Sequence, residues 1–203
     1  MSLDSGPAAL PGFAALRGRH YFTDQDFSRD ELLALLDLAA ALKALYRRRV
    51  RTPFLADRTL AMLFEHPSTR TRISFEAGMT ELGGHAQNLR PGEIHLGGHE
   101  TVADTARVVS RLVDAIMART AFHATLAELV EHATVPVING LTDDYDHPVQ
   151  TMTDAFTIRE HLGTCEGLTC AFVGKCADAM GTSVALTMTR LGSSMVMAAP
   201  PSP

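Results

Sequence analysis

The chain has 203 residues, of which 46% are hydrophobic and 20% charged. That is enough apolar material for one good core or two small ones, and it excludes disorder as the main state. Eighteen Lys and Arg stand against 23 Asp and Glu, a net charge of −5, so no global positive field exists to hold a nucleic-acid backbone or an anionic membrane. Any basic site has to be local. No apolar run approaches the roughly 20 residues of a membrane-spanning helix, and the N-terminus does not read as a secretory signal. Cys165, Cys170 and Cys176 make a poor disulfide framework, so a cytoplasmic protein without nucleic-acid or membrane partners is expected.

Residues 1–19 carry Gly6, Pro7, Pro11, Gly12 and Gly18 without any period and read as a flexible lead-in. Ser28 followed by Glu31 is a capping box, and Leu32, Leu35, Leu36, Ala39, Leu42 and Leu45 then recur at helical spacing. The run Arg47, Arg48, Arg49 and Arg51 ends this helix, either as cations at the negative end of its dipole or as part of a binding surface.

Strand and helix patterns then alternate. A strand is expected at 59–64, a helix at 69–82 stopped by Gly83-Gly84, and a strand at 85–89. A helix at 100–112, a strand at 114–118, a helix at 125–133, a strand at 135–139 and a helix at 149–162 follow. Strands this apolar suit a parallel sheet buried on both faces, so the fold class is α/β, a doubly wound parallel sheet over residues 20–163. A second series, strand 168–173, helix 178–191 and strand 194–199, is too small to bury both faces of its strands. Residues 164–203 are therefore expected to be a partial second α/β domain of a truncated chain.

The densest polar signal is Ser68-Thr69-Arg70-Thr71-Arg72, after the turn Glu65-His66-Pro67 and at the start of a helix. Hydroxyls, free N–H groups, the positive end of the helix dipole and a guanidinium fork converge there, as at an anion site; the alternative is an ordinary Ser/Thr cap with two surface arginines. The missing G-x-x-x-x-G-K-[ST] pattern argues against a nucleotide triphosphate. A second cluster, Asp146-His147-Pro148-Val149-Gln150, opens a later helix at the same carboxyl edge of the sheet, where ligands bind. His147 can polarise a carbonyl and Gln150 can offer an amide, or the two simply cap the helix and face water. Arg119 follows a strand toward the same edge. No zinc spacing, G-x-G-x-x-G fingerprint or G-x-S-x-G elbow occurs, so neither a metal nor a nicotinamide cofactor is expected.

Ser-Thr-Arg-Thr-Arg at 68–72, Met117-Ala118-Arg119 and His-Pro-Val-Gln at 147–150, in that order and spacing, resemble the aspartate/ornithine carbamoyltransferase family. Asn139-Gly140-Leu141-Thr142-Asp143 and the lysine-free loop Gly92–Gly97 resemble its ornithine branch. The resemblance implies that residues 20–163 form a carbamoyl-phosphate domain and that residues 164–203 begin an acceptor domain. It places Ser68, Thr69, Arg70, Thr71 and Arg119 on the phosphate, and Thr71, Arg119, His147 and Gln150 around the carbamoyl group. Arg119, His147 and Thr71 are the implied catalytic residues.

His95 would be offered to a neighbouring subunit of a homotrimer. Carbamoyl phosphate and an amine, most simply the side-chain amine of ornithine, are the implied substrates, and no cofactor is required. In the stretch that holds the amino acid in the family's ornithine enzymes, Asp178 stands among Gly174-Lys175-Cys176-Ala177. As an acceptor-binding residue it would repel a carboxylate and favour a second amine. The alternatives are a carbamoyltransferase for another amine, or a non-catalytic anion-binding fragment.

Overall fold

The computed structural model describes residues 14–90, 92–93, 97–98 and 100–200. After a short 3-10 turn at Ala14–Leu16 the elements are α1 (Arg29–Arg47), β1 (Thr59–Phe64), α2 (Thr69–Glu81), β2 (His85–Leu89), α3 (Val102–Val109), β3 (Ala115–Thr120), α4 (His123–His132), β4 (Val137–Thr142), α5 (Pro148–Leu162), β5 (Thr169–Val173), α6 (Ala179–Arg190) and β6 (Ser194–Ala198). The first sheet is parallel with strand order β2-β1-β3-β4; β5 and β6 form a separate parallel pair.

The alternation of side chains along each strand divides the first sheet into two apolar faces. Leu63, Ile116, Ala118 and Val137 pack against Val102 and Ala106 of α3 and Leu126 and Leu129 of α4. Leu60, Met62, Phe64 and Met117 face the other way, onto Met79 and Phe75 of α2. With helices on both faces, β1 and the first half of β3 read as apolar runs, which is why the sequence shows them so plainly.

The third core ties α1 to α5 and α6. Leu32 and Leu36 of α1 pack with Ala155 of α5, Cys165, and Met188 and Leu191 of α6. The capping box at Ser28 and Glu31 is present in full, fixing where α1 starts. Gly163 ends α5 in the left-handed conformation at φ 82°, which glycine adopts without a Cβ penalty. The β5–β6 pair is covered on one face: Cys170 packs toward the core that α1, α5 and α6 share, whereas Val173 is 80% exposed on the other side. Among the described residues no helix is long and apolar enough to cross a membrane.

Two strands run further than the sequence suggests. β3 includes Arg119 and Thr120, and β4 extends from Val137 to Thr142 rather than stopping at Asn139. Periodicity cannot see this, because polar residues and a glycine, Arg119, Thr120, Gly140 and Thr142, interrupt the apolar pattern at the sheet edge. Conversely α3 spans only Val102–Val109, trimmed by a Thr101 cap and a C-cap at Ser110.

Candidate functional site

From β1 the chain passes through α2 to β2 on one side; from β3 it passes through α4 to β4 on the other. The crevice at the carboxyl ends of β1 and β3 is thus the switch point of the sheet, the place where open α/β sheets bind ligands. Ser68 arrives there from β1 and Arg119 from β3, whose Nη1 donates to Ser68 Oγ at 3.0 Å. Ser68 stands at the N-cap of α2 with extended backbone (φ −145°, ψ 120°), yet its side chain makes no capping bond. Its hydroxyl is spent on Arg119, which leaves the first-turn N–H groups of α2 without a side-chain cap and aimed into the crevice. Thr71 is buried and Arg70 is exposed at the rim.

β4 reaches the same edge through a bulge. Ala118 pairs with Asn139 but Arg119 pairs with Leu141, so Gly140 is the extra residue. A Cβ on Gly140 would lie 2.5 Å from Met117 Sδ and 3.1 Å from Ala118 O, which is why glycine is required. Leu141 follows at φ 155°, a conformation L side chains rarely adopt, held there because its N–H donates to Asn139 Oδ1 at 2.9 Å. Gly140→Ala is therefore expected to destabilise the fold by about 1–3 kcal/mol, read as a lowered thermal unfolding midpoint.

Asn139 is fully buried and organises the loop that carries His147. Its Nδ2 donates to Phe22 O at 2.9 Å and to Asp146 Oδ1 at 2.5 Å, and Thr142 Oγ1 also donates to Asp146 Oδ1 at 3.2 Å. Asp146 Oδ2 has no partner among the described residues. Burial, together with the Asp24 carboxylate, pushes the Asp146 pKa up to about 7. His147 occupies the N-cap of α5 without a side-chain capping bond, and its Nδ1 is buried and unpartnered among the described residues. Burial first, then the charges of Arg119 and Arg70, lower its pKa to about 4. The ring is neutral at pH 7, a hydrogen-bonding group rather than a cation. Gln150, half-buried one turn on, donates from Nε2 to Asp154 Oδ1 at 3.0 Å, leaving its carbonyl oxygen and second N–H to a ligand.

Ser68, Thr69, Arg70, Thr71, Arg119, His147 and Gln150 all line one cleft of about 1670 Å³. Neither the Ser/Thr cap nor the alternative of a capping His147 beside a solvated Gln150 describes what these side chains do. Arg119 is a strand residue and not, as its position suggested, the first residue after the strand. Its Nε is buried without a partner among the described residues, so the guanidinium is anchored at one corner with unsatisfied donors, the arrangement a bidentate anion completes. Asp178 lies outside the cleft lining; it caps α6, accepting the Gly181 N–H at 2.9 Å. His95 falls outside the described residues. No group of three or more His, Cys, Asp or Glu that could hold a metal ion occurs among the described residues.

Leu141 and Val149 also line the cleft; Asp146 and Val149 belong to the cluster the sequence singled out, whereas for the supporting roles of Asn139 and Leu141 the sequence offered one signal, a glycine inside an apolar strand pattern at position 140. The family model for the aspartate/ornithine carbamoyltransferase carbamoyl-phosphate binding domain matches residues 19–160. The ornithine carbamoyltransferase of Anoxybacillus flavithermus is 46% identical over 185 residues, 91% of this chain and 58% of that protein. Among solved structures, ornithine carbamoyltransferase from Pyrococcus furiosus superposes with a TM-score of 0.89 at 43% identity, covering 91% of this chain and 58% of that one. Aspartate transcarbamoylase from Trypanosoma cruzi, solved with carbamoyl aspartate and phosphate, superposes with a TM-score of 0.84 at 29% identity, covering 92% and 61%. The chain thus spans about 58% of the length of the curated relative it matches.

Proposed function

Since the chain belongs to the aspartate/ornithine carbamoyltransferase family, we propose that its cleft binds carbamoyl phosphate and that the whole protein transfers the carbamoyl group to the side-chain amine of ornithine, giving citrulline and phosphate. The observation that carries this reading is the Arg119–Ser68 bond across the switch point, beside an uncapped helix start. The names of the relatives favour ornithine over another amine.

In this reading the phosphate sits on the first turn of α2 and takes hydrogen bonds from Ser68, Thr69, Arg70 and Thr71, with Arg119 reaching both phosphate and carbonyl. The neutral amine attacks the carbamoyl carbon; a C–N bond forms, the C–O bond to phosphate breaks, and an amine proton leaves with the departing phosphate. Negative charge grows on the carbonyl oxygen during attack, where Arg119, Thr71 and neutral His147 donate, while Gln150 holds the carbamoyl NH2. Much of the acceleration then comes from orientation in a partly desolvated cleft. Residues 20–163 make the carbamoyl-phosphate domain and residues 164–203 begin the acceptor domain, preceded by the lead-in 1–19. Asp178 faces the acceptor there and His95 reaches a neighbouring subunit of a homotrimer. Three free thiols are in keeping with a cytoplasmic setting.

Titration calorimetry with a non-hydrolysable carbamoyl phosphate analogue tests the reading. Binding by the wild-type chain is expected, weakened roughly ten- to hundredfold in Arg70→Ala, since a hydrogen bond to a charged group is worth about 1.5–3 kcal/mol. Equal affinity in the two proteins removes Arg70 from the site.

A further inference from the structure

We infer that Asp24 is a positioning residue for the cleft, fixing the main chain of His147 through the hydroxyl of Ser183. The inference rests on the reading of the cleft given above, and it starts from a buried carboxylate that the carbamoyl chemistry does not use. Asp24 precedes α1 and is 1% exposed. Three hydroxyls and no Lys or Arg bind it among the described residues: Ser183 donates to Oδ2, Thr187 to Oδ1 at 2.5 Å and Thr151 to Oδ1 at 2.9 Å. Thr151 belongs to the first turns of α5, Ser183 and Thr187 to one face of α6.

A buried carboxylate without a cation is an expensive way to join three segments that already share an apolar core. Its distinctive effect is on Ser183. A hydroxyl inside a helix ordinarily turns back to the carbonyl four residues earlier; Thr189 of α6 does so toward Ala185 O at 2.6 Å, and Thr153 and Thr157 of α5 do so toward Val149 O and Thr153 O. Ser183 does not. Its proton goes to Asp24, and its lone pairs are left to accept the backbone N–H of His147 at 3.1 Å. That N–H stands before the first turn of α5 and has no partner in the helix ladder, so Ser183 is what satisfies it. His147 holds φ −141° and ψ 66° at this point, and the direction of its ring into the cleft follows from the backbone so fixed. Asp24 therefore sets the Ser183 rotamer, and Ser183 sets His147.

The test compares Asp24→Asn and Ser183→Ala with Thr187→Ala, which also removes a hydroxyl from Asp24 but lies off the path to His147. Two readouts are used: NMR signals of the His147 amide and imidazole in the free protein, and affinity for carbamoyl phosphate. All three variants are expected to unfold at lower temperature. Only Asp24→Asn and Ser183→Ala are expected to shift the His147 signals, speed exchange of its amide, and weaken binding about tenfold; Thr187→Ala is expected to stay within twofold of wild type. Unchanged His147 signals in Ser183→Ala, or Thr187→Ala matching the other two, overturns the inference and leaves Asp24 as a structural joint. A wild-type chain that binds no carbamoyl phosphate overturns the reading of the cleft instead, and the NMR comparison still decides the role of Asp24.

Discussion

Arg119→Ala is expected to lower the affinity for carbamoyl phosphate by on the order of a hundredfold or more, with little change in the thermal midpoint of the free protein. The asymmetry follows from what Arg119 touches. Its side-chain hydrogen bond goes to Ser68 Oγ, its Nε is buried without a partner among the described residues, and it takes part in no ion pair among them. Removing it from the free protein deletes a half-buried cation and one modest bond. Removing it from the complex leaves a desolvated phosphate short of its bidentate donor, a change that typically costs about 3–5 kcal/mol, with 1.4 kcal/mol per tenfold in affinity. Arg119→Lys keeps the charge but not the planar fork and should recover only part of the loss. Calorimetry on the three proteins, with thermal unfolding of each, checks both halves of the expectation; Arg119→Ala binding as tightly as wild type would sink it.

The second large effect concerns Asp146. With its folded pKa up at about 7 against about 3.9 in an unfolded chain, the folded protein binds the extra proton between those values. Stability from this group is therefore full below about pH 4 and declines as pH rises toward 7. His147, lowered to about 4, and His20 and His123, lowered by burial, act in the opposite sense: their contribution falls as pH drops below about 6.5. The bare pH profile mixes the two, so the informative quantity is the difference between Asp146→Asn and wild type. The histidine contributions largely cancel in it. That difference should move in favour of the variant across pH 4–7 and level off on either side. Its full span is about 4 kcal/mol at most, because each tenfold change in proton affinity on folding is worth about 1.36 kcal/mol. Denaturant unfolding of both proteins at pH 3.5, 5.5 and 8 measures it, and a difference that stays constant across the three would show that folding does not raise the Asp146 pKa.

The parts of this molecule that were legible in the sequence are those where one physical demand dominates. Leu60–Phe64 and Ala115–Ala118 face helices on both sides, so burial wrote itself as an apolar run. Ser68 to Arg72 puts hydroxyls and guanidinium groups where a strand gives way to a helix, and few structural needs call for that combination. What stayed hidden are polar residues that work inside the core. Nothing in the sequence joins Asn139, Thr142 and Asp146, which the bulge at Gly140 folds onto one another. Arg119 looked like a loop residue because a cation seldom continues a buried strand; it does so because its ladder partners Phe64 and Leu141 lie at the open edge of the sheet. Asp24 carried no signal at all, since its three hydroxyl partners come from α5 and α6.

The core shared by α1, α5 and α6 also has a history during synthesis. Leu32 and Leu36 leave the ribosome early, long before Met188 and Leu191, against which they are buried. At about 5–20 residues per second, the apolar stripe of α1 waits on the order of ten seconds or more for its covering helix. The four-stranded sheet has no such dependence and can close behind it. The nascent chain thus passes through a stage with a finished sheet and a first helix covered only in part, by α5, which makes that stripe a natural grip for a chaperone and a point of self-association when synthesis outruns folding.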